Sequence, residues 1–476
     1  MEFQTLSHAG LRVEAGGVEL VCDPWLLGSV YWRSWWNYPP VPKSLVQSLK
    51  PDFIYLTHLH WDHFQADSLK LFPADTPILV PYDRYERMTR DLKAVGRTNV
   101  REVRHGERVV LGPQLAITSF HFSPIITDSA VVIEAGDQVL FNANDAKLAG
   151  LPLQQVIKRF PKVDFCFRSH SSANPRACYH VTDAPDEELD DNEHYLRAFA
   201  LFMARVKPRY AIPFASNSCL LHDDVYAMNA LVQTPLAVRD HFGRFREERG
   251  LATEVQIMTP GDRWNSETGF HLQNGDWFER RDERVAEYRE RVQPTMAKQA
   301  ALEARVSVPF KQVERFFADL SKKIPGVMMR PLKGSEVLLV SRSAKATQGF
   351  AVDLAAGTVR EVAEPEFDAF DKRVEFPALI LRQAVAMNMF GHAGISKRVH
   401  FHATAAAMPA LKRFVTLTEL AEAEIFPLRS HFSLRAIKAL LPRWREGVLY
   451  AQVAADIARG RDLPSIEEHH LDPIAA

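Results

Sequence analysis

Thr57-His58-Leu59-His60-Trp61-Asp62-His63 follows directly on the apolar run Phe53-Ile54-Tyr55-Leu56. Three imidazoles and a carboxylate this close together cannot be buried alone, because each unpartnered polar group costs several kcal/mol. A bound metal satisfies all of them at once. If residues 53–57 form a strand, His58 and His60 at i and i+2 project to one side as it runs out, and Asp62 and His63 follow in the loop beyond. Four ligands from one loop can serve two ions. Imidazole suits zinc, iron, manganese or nickel, and the carboxylate favours a harder ion than a pure thiolate site selects.

The same stretch resembles the signature of the metallo-β-lactamase superfamily, whose members hold one or two metals at the strand ends of an αββα sandwich. Cys22-Asp23-Pro24-Trp25-Leu26-Leu27-Gly28, Arg33-Ser34-Trp35-Trp36 and Asp128-Ser129-Ala130-Val131-Val132-Ile133-Glu134 extend the likeness. With the run into His58, they are similar to the lactamase-fold part of the CMP-N-acetylneuraminate monooxygenases. The resemblance covers about residues 10–230. It implies an α/β (α+β) fold, a four-layer αββα sandwich, with two divalent ions, zinc or iron, manganese also fitting.

The resemblance also implies the remaining ligands. His121 follows Leu115–Phe120, where the family supplies the third ligand of its first metal; Asp145 follows Val139–Asn142, at the bridging carboxylate's place; His222 follows Arg209–Phe214, at the last histidine's place. The implied centre puts His58, His60 and His121 on one ion and Asp62, His63 and His222 on the other, with Asp145 between them. Asp128, close behind His121, is a rival ligand. His8 and Asp23 lie near strand ends and are expected to be structural, Asp23 as a turn former before Pro24.

With 476 residues the chain exceeds what one hydrophobic core organises, so two domains are expected. The reading places a metal-binding domain at 1–275, a charged helical linker at 276–300 and a C-terminal α+β domain at 301–476, loosely similar to sterol-carrier-type modules. A net charge of -1 gives no general attraction to nucleic acid or to an anionic membrane, and neither is expected as a partner. The start MEFQTLSHAG lacks the layout of a signal peptide, and no apolar run reaches the roughly 18 residues of a membrane span. Four cysteines in a chain of this length fit a cytoplasmic protein with reduced thiols.

Strand-like runs occur at Leu11–Glu14, Glu19–Cys22, Ile78–Pro81, Val103–Val110 and Leu115–Phe120, with a hairpin around Ala135-Gly136-Asp137. Ala66–Leu71 reads as a helix. Tyr31–Tyr38 beside Pro39-Pro40 reads as a loop lying over something, and Trp35 within it as a wall of the site's mouth. Beyond residue 300, Val337–Ser341 and Phe350–Leu354 read as strands, and Phe376–Met389 and Ser433–Leu441 as helices. His392, His400 and His402 lack a carboxylate at metal spacing and read as structural.

Residues 168–180 are dense in polar side chains. Arg168 and Arg176 are expected to hold an anionic or glycosyl-like small-molecule substrate, and His170 to act in proton transfer. Cys178-Tyr179-His180 and Cys219-Leu220-Leu221-His222 match the ligand pattern of a Rieske centre formally, but such a cluster needs a small dedicated β domain. The Rieske module that the resembling family carries before its lactamase fold is not expected here. Its electron supply is then absent, so hydrolysis of an ester, lactone, amide or phosphodiester by a metal-bound hydroxide leads, with Asp62 or Asp145 managing the proton. A diiron monooxygenase served by an external reductase is the alternative, and a non-catalytic metal-binding protein follows. An oligomer is compatible with either enzyme.

Overall fold

The computed structural model describes every residue except 172, 174, 187–191, 274, 450–451, 453–462 and 472–476. The alternation expected near the start is present: along the strand Leu11–Ala15, Leu11, Val13 and Ala15 are buried while Arg12 and Glu14 are half-buried on the other face. That strand belongs to an eight-stranded sheet. Its antiparallel strands Glu2–Thr5, Leu11–Ala15 and Val18–Cys22 are followed by Phe53–Tyr55 and Ile78–Pro81, which run parallel to Val18–Cys22. A seven-stranded sheet places Ser129–Ala135 between Leu115–His121 and Gln138–Asn144, all antiparallel, with Phe165–Arg168 and Tyr210–Pro213 continuing parallel to Gln138–Asn144.

The two sheets pack face to face. Phe3, Val13, Leu20 and Tyr55 share one apolar core with Ile117, Ile133, Leu140 and Phe165, and the Phe3 and Phe165 rings meet edge to face with centroids 4.8 Å apart. The outer face of the first sheet is covered by helices Lys43–Ser48, Ala66–Leu69 and Arg87–Ala94, through Leu45, Leu69, Met88 and Leu92. Helices Gly150–Arg159, His194–Val206 and Pro235–Arg249 cover the second through Leu153, Phe199, Phe202 and Phe242. The layers are therefore α, β, β, α. The parallel strands of both sheets end on one rim, which is where an α/β sheet presents its ligand-binding loops.

Residues 337–403 form five strands of a six-stranded sheet, and the sixth is Tyr179–Val181, lying parallel to His400–Ala403 at its edge. Helices Phe310–Lys323, Ala378–Met387 and Met408–Glu422 pack on this sheet. Their core is continuous with the sandwich, since Trp25, Tyr31 and Trp35 belong to the same cluster as Phe317, Leu339, Phe390 and Phe414.

Three local expectations differ from the structure. Val103–Val110 is not one strand but the end of Val100–Val103 and the start of Arg108–Gly112, because Gly106 at φ 73° turns the chain between them. The aromatic stretch is not only a loop: Trp35–Asn37 pairs with Ser218–Leu220 and Ser29–Val30 in a three-stranded sheet. Tyr31, Trp32 and Arg33 between those strands are all left-handed, with φ of 52°, 55° and 65°, a conformation that costs of order 1 kcal/mol for each such residue. The charged run is helical as expected, over Arg281–Glu303, but it is not simply a solvated linker: its Val285, Val292 and Met296 pack on Trp36 and Tyr38.

Candidate metal centre

Thr57 to His63 leaves the strand Phe53–Tyr55 at the rim, as the spacing requires, and its ligands divide into two groups. His58 and His60 stand with Asp145, and Asp62 and His63 stand with His8; within each group the ligating atoms lie within 4.8 Å of one another. Asp145 follows Asn144, which ends its strand at φ 41°, a conformation asparagine tolerates, and the turn carries the carboxylate between the groups. Its Oδ2 lies 3.7 Å from His58 Nε2 and its Oδ1 lies 3.3 Å from His63 Nε2. Asp128 Oδ1 lies 3.6 Å from His58 Nδ1 on the other side of that ring.

A surrounding layer holds these groups. Asp23, left-handed at φ 43°, accepts from the Thr57 amide at 2.8 Å, from the Thr57 hydroxyl at 2.7 Å and from His63 Nδ1 at 2.9 Å. With its Nδ1–H given to a carboxylate, His63 presents Nε2 to the centre, the usual arrangement of a metal-ligating histidine. The Tyr31 hydroxyl donates to Asp62 Oδ1 at 2.6 Å, and His8 Nε2 lies 3.2 Å from Asp62 Oδ2.

Four buried atoms in this cluster make no hydrogen bond among the described residues: His8 Nδ1, His63 Nε2, Asp145 Oδ1 and Asp128 Oδ1. The last three are turned toward neighbouring members of the cluster. Protons balance the charge when the protein is considered by itself. Burial opposes it, yet Asp145, Asp62 and Asp23 raise His63 to about 10, and burial followed by Asp145 raises the Asp128 carboxyl well above the usual range. Burial holds His58 well below its ordinary value, and burial with His58 lowers His60 to about 3, so both rings are neutral and able to ligate. A cation displaces such protons, and the donor set, imidazole and carboxylate without thiolate, fits two ions of the zinc, iron or manganese kind.

Two face-to-face sheets between helical layers, with H-x-H-x-D-H and a strand-end aspartate gathered at one rim, decide the fold. The chain carries the metallo-β-lactamase fold. No family model matches it. Over 242 residues it is 24% identical to a Mycolicibacterium smegmatis protein named for a Rieske 2Fe-2S centre, a match covering 48% of this chain and 46% of that one. Over 106 residues it is 33% identical to the cytidine monophosphate-N-acetylneuraminic acid hydroxylase of Mus musculus, covering 21% of this chain and 18% of the relative. The matched stretches are thus less than half the length of these relatives. Among solved structures, an isothiocyanate hydrolase from Delia radicum gut bacteria aligns over 56% of this chain and 98% of its own with 17% identity and a TM-score of 0.39.

The lactamase-fold rim does not gather every residue expected there. His121 ends its strand with Nε2 3.1 Å from the Val103 carbonyl oxygen, edge-on to His105, and faces a different cavity. Asp128 lies beside His58 instead, but on the Nδ1 side of that ring, and Asp145 completes the group with His60. His222 caps the segment Asp223–Leu231, its Nδ1 accepting from the Asp224 amide at 3.2 Å, and its Nε2 points toward Glu303 rather than the centre. The third member of the Asp62 and His63 group is His8, which a turn between two strands delivers. His170 is fully buried beside His8, lowered to about 3 by burial and then by His8, and does not line the cavity over the metals.

Arg168 is buried and spends its charge on Glu467, 3.0 Å away, with its guanidinium 4.0 Å over the Phe202 ring. Arg176 sits on the turn Arg176–Cys178 and is not among the described cavity residues. Trp35 packs between Tyr31 and His8 and donates from Nε1 to the Ile395 carbonyl at 3.1 Å, so it forms the wall behind the ligands rather than the mouth. Cys178 donates to the Lys397 carbonyl, and Cys219 packs with Trp36 and Tyr38.

The cavity over His58, His60, Asp128 and Asp145 has a volume of about 430 Å³, and the C-terminal part of the chain closes one side of it with His392, Glu419 and Glu422. His392 gives Nδ1 to Glu422, its ring centroid lies 5.5 Å from that of His60, and its buried Nε2 has no partner among the described residues. Glu419 is pushed up to about 7 by burial and then by Glu422. No spacing in the sequence marks these three, because they reach the site from helices more than 300 residues beyond it.

Proposed function

We propose that this chain is an enzyme working with two metal ions. His58 and His60 would hold one, Asp62, His63 and His8 would hold the other, and Asp145, within reach of both groups, would serve the pair. The observation that carries the reading is the convergence of His58, His60 and Asp145, and of His8, Asp62 and His63, each set of ligating atoms within 4.8 Å, with the buried His63 Nε2 and Asp145 Oδ1 making no hydrogen bond among the described residues. When bound, the ions polarise a substrate oxygen and acidify water between them or, as iron, activate dioxygen. Asp23 fixes the His63 tautomer, Tyr31 fixes Asp62, and the aromatic wall of Trp35 and Trp61 keeps bulk water from the back of the centre. On the open side His392 Nε2 and Glu419 present polar atoms to a small molecule in the cavity, and Glu419, poised near neutrality, can take or return a proton.

Of the two chemistries we place oxygenation first. Each group joins two imidazoles to one carboxylate, His58 and His60 with Asp145 and His63 and His8 with Asp62, a donor set that suits non-haem iron. The relatives named for hydroxylation and for a Rieske centre support the same choice. This chemistry takes its electrons from an external reductase. Hydrolysis is the second reading, supported by Glu419 as a carboxyl able to manage a proton near neutral pH.

Metal analysis of protein purified without added metal, joined to an absorption spectrum, tests the proposal. Bound iron with charge-transfer bands is expected; two zinc ions per chain and no visible absorption would leave hydrolysis. Asp145→Ala is expected to lower the metal content below one ion per chain. Two ions retained in that variant would remove the bridging role.

A further inference from the structure

A second cavity, of about 320 Å³, lies across the loop 122–128 from the metal centre. Arg84, Arg104, Lys438 and Arg443 line it, with His105 and His121 beside them. The one carboxylate in the lining, Asp83, is already used: its oxygens accept from the amides of Tyr85 at 3.1 Å and Arg87 at 2.8 Å. Arg443 is 6% exposed, pairs with Glu446 and donates to the His121 carbonyl at 2.8 Å, yet its Nη1 has no partner among the described residues. Arg84 is 4% exposed and gives its Nη atoms to the carbonyls of Ile125 and Glu424, and its buried Nε is likewise without a partner. Arg104 and Lys438 reach the cavity from the surface, and neither has an ion pair among the described residues.

Unmet guanidinium donors buried in a concave, cation-rich site are costly, and an oxyanion is the ligand that meets them. The neighbouring imidazoles are neutral and add no charge of their own: burial and then Arg443 lower His105 to about 4, and burial, then His105, then Arg443 lower His121.

We infer that this cavity is a binding site for an oxyanion of the phosphate class, held by Arg443, Arg84, Arg104 and Lys438. Asp83, Ile126 and Thr127 line both this cavity and the one over the metals, so the two adjoin. The anion is one end of a ligand whose other end reaches the metal centre; this second statement rests on the proposed metal reading. It also gives the anionic substrate expected from the sequence a different set of arginines.

Inorganic phosphate titrated calorimetrically into the full chain stripped of metal by chelator, at constant ionic strength, tests the site without any metal–phosphate contact. Binding at about millimolar affinity or tighter is expected, weakened about tenfold in Lys438→Ala and in Arg104→Ala, both exposed and outside the packed core, and lost in Arg443→Met. If Arg443→Met does not fold, the two surface variants decide. Absence of binding to the native chain, or binding unchanged in the Lys438→Ala, Arg104→Ala double variant, overturns the inference. Asp145→Ala is expected to keep phosphate binding while losing metal, so failure of the metal reading and failure of the oxyanion site give separate results.

Discussion

His63 gives one nitrogen to Asp23 and turns the other toward Asp62 and Asp145. His58, His60, Asp62 and His63 were legible in the sequence because they are contiguous and follow an apolar run. Asp128 could be named only as a rival ligand, and His8 and Asp23 only as structural residues near strand ends, since strand register decides what each meets: pairing of Cys22 with Tyr55 sets Asp23 beside Thr57, and no spacing records that pairing. Glu419 gives a test at the same scale. Its folded value of about 7 stands above the usual 4.5, so below about pH 4.5 it is protonated in both folded and unfolded chains. As pH rises toward 7 the unfolded chain ionises first, and stability falls by about 3 kcal/mol before levelling off. Denaturant unfolding at pH 5 and at pH 7.5 is expected to show this fall in the native chain and its absence in Glu419→Gln; the same fall in both would remove the assignment.

At the scale of elements, the helix Leu463–Leu471 is latched to the second sheet by Glu467, which pairs with Arg168, Lys147 and His194. Burial works against the Glu467 carboxylate, but Lys147, the hydrogen bond with His194 and Arg168 hold it well below its usual range. The sequence showed a polar arginine in a polar loop; its partner 299 residues away could not be read from it. Glu467→Gln leaves the Arg168 charge buried without its counterion and is expected to cost about 3 to 5 kcal/mol in urea unfolding. The double change Arg168→Met, Glu467→Met is expected to recover most of that loss, and an equal loss in both would show that the helix is held by other contacts. The helix Arg281–Glu303 was legible by its charge spacing, as in the Arg284 and Glu287 pair, but its apolar stripe of Val285, Val292 and Met296 is too sparse to stand out.

At the scale of the whole molecule, the sandwich was legible through the resemblance that Thr57–His63 and the stretches around it bear to a known superfamily. How the C-terminal part attaches was not, since it depends on three residues lent from the middle of the chain. Tyr179–Val181 completes the C-terminal sheet, Arg398 ties Glu303 to Asp224, and one apolar cluster spans both parts. A single cooperative transition is therefore expected in scanning calorimetry of the full chain. Two resolved transitions would show that the parts melt independently and that the shared strand contributes little.

That strand also sets a schedule for synthesis. His180 and His400, side by side at the sheet edge, are 220 residues apart in the chain. At about 5 to 20 residues per second a ribosome needs about 10 to 40 seconds to travel between them. For that interval the nascent sandwich carries a strand with nothing beside it. With only three residues, Tyr179–Val181 offers a neighbouring nascent chain too short a template to grow on.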